Sequence, residues 1–544
     1  MNKYFLKGRM SIKKALISLL VIVIIEVIAF YITLPAMNIF SEGFWIFQGA
    51  FVILFFVLSF SVRDDEYVGY NNLTKVVGIV ILVGILVFSV GHLTSMQIFN
   101  AGRYASLVEI EERDFATDMP ISETVNNIAL MDTSSAKVVG QRAIGSLSDV
   151  ISQYQISDEY STIDYNGEPM KVASLEYADF FKWFNNRKNG VPGYVFVDPV
   201  DFEAKYIKLD KSIKYTPSGW FNDNLQRHLR FRYPTAIFGG YYFEVDNEGN
   251  PYYICPVMKP RVGMFGAYDA KGIVICDPCT GESDYYDVKE VPVWVDRVYD
   301  GDLATRKYDW HGILSGGYIN SIIGQEGCKM TTDDYGYKVM DGDVWVYTGV
   351  TSVIGDQSNV GFVLINARTC QTIYYSVAGA EEHSAMDAAE GQVQNLGYKA
   401  AFPSLINIDG EPTYLMVLKD KSNLVKMYAM VNVEKYSIVA TGTSQRDTLA
   451  SYKKLLKSNN IETINGKEET IKKDVVVKDI EYITVEGESY AYITDMDGAV
   501  YKQLFADNEA LILIQPQDTI NVEYSESEDG IHALISFSKI NVAE

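Results

Sequence analysis

The 544 residues carry 47 Lys and Arg against 70 Asp and Glu, a net charge of −23. A field of that sign excludes nucleic acid and anionic lipid as partners of the polar part. Length alone demands several folding units. The five histidines, His92, His228, His311, His383 and His532, are scattered, and the chain has no HExxH, GxSxG, GxxxxGK[ST] or GxGxxG. Metalloprotease, serine hydrolase and nucleotide-binding readings therefore lose their usual support, and no catalytic residue, metal or cofactor is expected.

Residues 1–99 read as a three-helix membrane anchor. Ala15 to Met37, Phe44 to Val62 and Val76 to Phe99 are apolar and long enough to cross a hydrocarbon core. The first exceeds the apolar core of a signal peptide and has no small-residue cleavage site after it. Lys3, Lys7, Arg9, Lys13 and Lys14 precede it, whereas the loop before Phe44 has no Lys or Arg. The positive-inside rule then puts the N-terminus in the cytoplasm and everything after about residue 100 outside it.

Glu26 is the candidate functional residue of this anchor, because an ionised carboxylate inside a span is costly. It reads either as an ion or proton relay, or as a protonated or hydrogen-bonded carboxyl that glues helices, and the second is favoured. Gln48 and His92 read as too close to the ends of their spans to reach it. Gly78, Gly84 and Gly91 read as sites of close helix packing.

After a connector over 100–134 a unit recurs. Hairpin signals stand at IDYNGEP (Gly167), VDNEGNP (Gly249), VMDGDV (Gly342) and NIDGEP (Gly410). Each is followed by an apolar strand that ends in Asp198, Asp277, Asn366 or Asn432, then a turn and another strand. Asp and Asn suit that place because their side chains bond the backbone of the turn. Helices are read upstream, from Ser135, Ser218, Asp302 and Glu381. The fold class is thus α+β: four tandem units, each a helix and an antiparallel sheet, over 135–215, 216–290, 291–378 and 379–442.

Several side-chain groups within the units raise chemical questions. Cys276-Asp-Pro-Cys279 lies at a strand end with no helix after it, so it reads as a turn and not as a redox pair. Cys255 and Cys276 fall on different strands of one unit, and both a bridge and free thiols are open. Arg227, His228, Arg230 and Arg232 form a cationic cluster, read as an anion dock or, with more weight, as a solvated helix face. The acidic turns at Asp300 and Asp302 and at Asp495, Asp497 and Gly498 lack the full alternating set of a calcium loop.

Ser444 to Lys457 reads as a linking helix capped by Ser, followed by a polar linker, the two filling 443–470. From 471 to 544 short alternating strands, with a turn at Glu486-Gly487-Glu488, suggest a small β-barrel of OB or SH3-like type.

The recurring helix and sheet resemble the PepSY family of small extracytoplasmic modules, through SAMDAAEGQVQNLGYKAAFPSLINIDGEPTYLMVLKD and through DPCTGE, which is similar to the family's Asp-x-x-Thr-Gly-Glu turn. The Thr-Gly element is missing from the units at Gly193 and Gly361. The whole chain also resembles uncharacterised multi-pass membrane proteins of Gram-positive bacteria, some loosely labelled as cell-shape related, through VPVWVDRVYD and RHLRFRYPTAIFGG. The leading expectation is a non-enzymatic cell-membrane protein: three helices anchor a rod or arc of four repeats and a terminal barrel, which bind or scaffold a protein or cell-wall partner. The alternative is an ion-coupled transporter component acting through Glu26.

Overall fold

The structure, a computed structural model, describes residues 12–59, 72–122, 128–145, 147–353, 358–459, 461, 470–485, 488–505, 508–525 and 531–540. The basic residues before Ile12, the Arg63 loop, most of the polar linker and the Glu486-Gly487 turn lie outside them. The chain divides into two compact units after Asn459.

Among the described residues three helices are long and apolar enough to cross a membrane: α1 (Ile12–Thr33), α2 (Glu42–Ser59) and α3 (Asn72–Ser95). The first ends before the expected Met37. Pro35 bars helical geometry from the residue before it, and Leu34 turns to a φ of 51°. The third ends at Ser95, short of the expected Phe99, because Met96 leaves the helix with ψ 142° to cap a new one, Gln97–Ala105.

Four sheets follow, and they share one strand order. The first runs Tyr154–Ile156, Glu168–Tyr177, Val191–Asp198, Glu203–Ile213, with Ser161–Tyr165 forming a hairpin on the long second strand. The second repeats this with Ile237–Phe238, Pro251–Val262, Gly266–Cys276 and Ser283–Asp287, its hairpin strand being Tyr242–Val245. The third uses Lys329–Thr331, Asp343–Ser352, Ser358–Asn366 and Thr372–Tyr375, with Gly336–Met340. The fourth uses Lys399–Ala400, Glu411–Lys419, Val425–Asn432 and Val439–Gly442, with Ser404–Ile408.

The two turn signals do the work expected of them. Gly167, Gly249, Gly342 and Gly410 all take positive φ, between 77° and 95°. Asp198 Oδ1 accepts the Val200 and Asp201 N–H groups, Asp277 Oδ1 those of Cys279 and Thr280, Asn366 Oδ1 those of Arg368 and Thr369, and Asn432 Oδ1 that of Lys435. One side-chain device closes the same bend four times.

The helices are shorter than their sequence patterns. The first is Thr133–Gly145, capped by Asp132 rather than Ser135: Asp132 Oδ1 accepts the Ser135 N–H at 2.9 Å. The second is Leu225–Arg232, since Asn224 caps it and a 3₁₀ turn occupies Phe221–Asp223. The third is Gly301–Leu314, capped by Asp300, and the fourth Glu382–Gln392. The helix Gln445–Ser458, capped by Ser444, packs on the fourth sheet, and its buried Tyr452 bonds Thr413 and Asn432.

The modules do not meet in chain order alone. The first and second share one core, in which Tyr194 meets Phe243 at 5.7 Å. The third and fourth share another, with Phe362 against Tyr414 at 5.8 Å. Strands of the first module also lie beside Asp343–Ser352 of the third. The connector visits the later modules first. Ile110–Arg113 pairs in parallel with Thr372–Tyr375, and Phe115 and Met119 enter the core of modules three and four before the chain begins the first.

The second unit is a closed ring of five strands. Thr470–Val485 pairs with both Glu488–Asp495 and Thr519–Ser525, while Val500–Leu504 and Ile531–Lys539 run parallel. Val477, Ile493, Tyr501, Ile520 and Val522 fill it.

Candidate functional site

Glu26 has a partner that the sequence reading dismissed. Gln48 Nε2 donates to Glu26 Oε1 at 2.8 Å. With α1 stopping at Thr33 and α2 starting at Glu42, both residues sit about two turns, roughly 10 Å, from the same end of their antiparallel helices. Their depths therefore match. The carboxylate is held by a neutral amide, an arrangement that links two helices without supplying a second titratable group.

Of the cationic cluster only Arg232 is exposed, and Arg227 and Arg230 turn to the first helix. Arg230 is 6% exposed and its Nε donates to the Leu34 carbonyl at 3.0 Å, while Nη1 donates to the Ala236 carbonyl at 2.6 Å. Arg227 Nε donates to the Tyr31 carbonyl at 3.0 Å, and its guanidinium lies 4.3 Å from the Tyr31 ring centroid. Both arginines thus cap the carbonyl end of α1, where the helix dipole favours a cation. His228 faces elsewhere, toward the Gly281 carbonyl.

The tip of the second module's main hairpin meets α3. Ser95 Oγ accepts the N–H groups of Met264 and Phe265 at 3.0 and 2.9 Å. Phe265 fits beside Gly91, where a Cβ would lie 2.6 Å from its ring, so this glycine serves the head and not another helix. Module two is therefore seated on α1 and α3 together.

The CxxC stretch and the acidic turns are spent on structure. All five cysteines are free thiols, which decides the question left open for Cys255 and Cys276. Burial, with Asp277 beside them, pushes the Cys276 and Cys279 thiols up to about 12, away from nucleophilic chemistry. Asp300 caps a helix and accepts the Tyr242 hydroxyl, and Asp302 accepts that of Tyr335. Asp495 accepts the N–H groups of Asp497 and Ala499. Among the described residues no cluster of three or more His, Cys, Asp or Glu side chains has the arrangement to hold a metal.

What the sequence reading missed is a polar cavity of about 340 Å³ where modules one, three and four meet. Lys171 and Arg297 line it, with Tyr160, Tyr337, Tyr347 and Phe402. Lys171 is 8% exposed, and its Nζ donates to Thr162 Oγ1 at 3.1 Å. Desolvation draws its pKa down to about 8; the Asp132 charge opposes that and the Arg297 charge adds to it. Arg297 Nη2 donates to the Tyr337 hydroxyl at 2.7 Å, and its buried Nε–H meets no acceptor among the described residues. Three carboxylates line the cavity: Asp132 pairs with Lys419 at 2.6 Å and Asp158 with Lys137 at 2.8 Å, whereas Glu159 is exposed. Lys171 sits in the strand Glu168–Tyr177, which is buried without alternation from Lys171 to Leu175, and it shares a face with Ala173, Leu175 and Tyr177.

Beside Arg297 lies a buried acid pair. The Asp296 N–H donates to Glu244 Oε2 at 3.0 Å, and Asp296 Oδ2 accepts the Asp164 N–H at 2.9 Å. Burial raises both carboxyls above the usual carboxylate range, and Glu244 raises Asp296 further.

No protein-family model matches the chain, and no curated protein matches it by sequence.

Proposed function

We propose that the chain is a non-enzymatic, membrane-anchored recognition protein of the cell envelope. Its head lies outside the cytoplasm, its four modules are of PepSY-like type, and its terminal barrel is of OB type. The shared strand order supports the first likeness. The barrel's long first strand, paired to the second and fourth, and its parallel third and fifth support the other. The observation that carries the reading is the seat of module two on α1 and α3: it holds the head close to the membrane and leaves the cavity between the other modules for a partner.

The transporter reading rests on Glu26, and the Gln48 bond supports a gluing role instead. Glu26→Gln as the sole copy in cells separates the two. Recognition predicts unchanged abundance, folding and growth. Loss of growth with the protein folded and abundant overturns the reading in favour of transport.

A further inference from the structure

The cavity brings together two cations that repel each other and, among the described residues, form no ion pair. Taking such groups out of water is expensive, and a fold tolerates it where an opposite charge is to arrive. Among the described residues the Lys171 ammonium has one acceptor for its three N–H bonds, and the Arg297 Nε–H has none. A guanidinium beside an ammonium suits the oxygens of a carboxylate or a phosphate. Tyr347 and Phe402, 6.0 Å apart, add apolar wall, and about 340 Å³ falls in the range of small-molecule sites.

We propose that this cavity binds a small organic oxyanion, a carboxylate or phosphate carried on a ring or short apolar body. Lys171 and Arg297 take the oxygens, and Tyr337, Tyr347 and Phe402 flank the body. The inference rests on the reading of the head as a recognition domain and names the chemistry of its ligand.

The test uses the full chain in detergent, with sodium benzoate, glucose 6-phosphate and inorganic phosphate as probes and benzamide as the uncharged control. Calorimetry is expected to detect benzoate or glucose 6-phosphate, the two arms distinguishing carboxylate from phosphate, and not benzamide. Lys171→Met and Arg297→Met are each expected to weaken binding by about tenfold or more, while Lys171→Arg retains it. Without ligand, Lys171→Met should melt no lower than the parent, since it removes a buried charge; this separates lost binding from lost folding. The proposal is overturned if no anion binds the parent at about 10 mM, if benzamide binds as benzoate does, or if both methionine variants bind as the parent. Purified protein has no sidedness, so this outcome is independent of whether the head lies outside the cell.

Discussion

Arg230 Nε lies 3.0 Å from the Leu34 carbonyl oxygen, joining residues 196 positions apart. One buried guanidinium closes the carbonyl end of α1 and, through Ala236, the start of the second sheet. The head is thereby fixed to the anchor at a point the chain itself does not connect. Arg230→Met leaves both carbonyls without a donor and is expected to cost about 2–3 kcal/mol. Thermal unfolding in detergent, read alongside protease cleavage at the α1–α2 loop, checks this. Arg227→Met, whose side chain is more exposed, should cost less.

The α3 contact is expected to be equally local. Ser95→Ala strips the acceptor from two backbone N–H groups, at about 1–3 kcal/mol each if they stay dry. Gly91→Leu drives a side chain into Phe265. Hydrogen exchange should rise at residues 262–267 in both variants and stay unchanged in the fourth module. Uniform loosening would mean that this contact is not a discrete joint.

Modules three and four should unfold together, because Phe362 and Tyr414 belong to one core. Phe362→Ala is expected to cost about 3–5 kcal/mol and to expose Tyr414 and Phe362's own strand neighbours in a single transition. Two separate transitions would contradict the shared core.

The acid pair gives the head a pH dependence of definite sign. Unfolded, Glu244 and Asp296 ionise in the usual carboxylate range; folded, burial defers ionisation to higher pH. Between the two values the folded state holds more protons, so this contribution is complete on the acid side and is lost as pH rises through the folded pKa. The head should be more stable near pH 5 than near pH 8, and Glu244→Gln should recover about 2 kcal/mol at the higher pH. Denaturant melts at both pH values decide it.

Local chemistry was legible in the sequence and long-range chemistry was not. The three apolar spans, the four glycine turns and the Asp198, Asp277, Asn366 and Asn432 bends follow from residues a few positions apart. Gln48 was dismissed as a partner of Glu26 because the length of an apolar run does not show where Pro35 stops the helix. Arg227 and Arg230 looked like solvated charge because their acceptors lie nearly two hundred residues away. Ile110–Arg113, reading IEER, has no strand alternation, and its pairing with Thr372–Tyr375 depends on the tertiary fold. The cavity around Lys171 arises from three modules meeting, which no single repeat encodes.

The central claim is a head on the outer side of the membrane, held there by its own joint to the helices. Val293, 72% exposed, offers a clean reporter. Val293→Cys in otherwise native protein is treated in intact cells with a membrane-impermeant maleimide. Labelling above the parent before permeabilisation is the expected result, and labelling that appears only after permeabilisation would contradict the account.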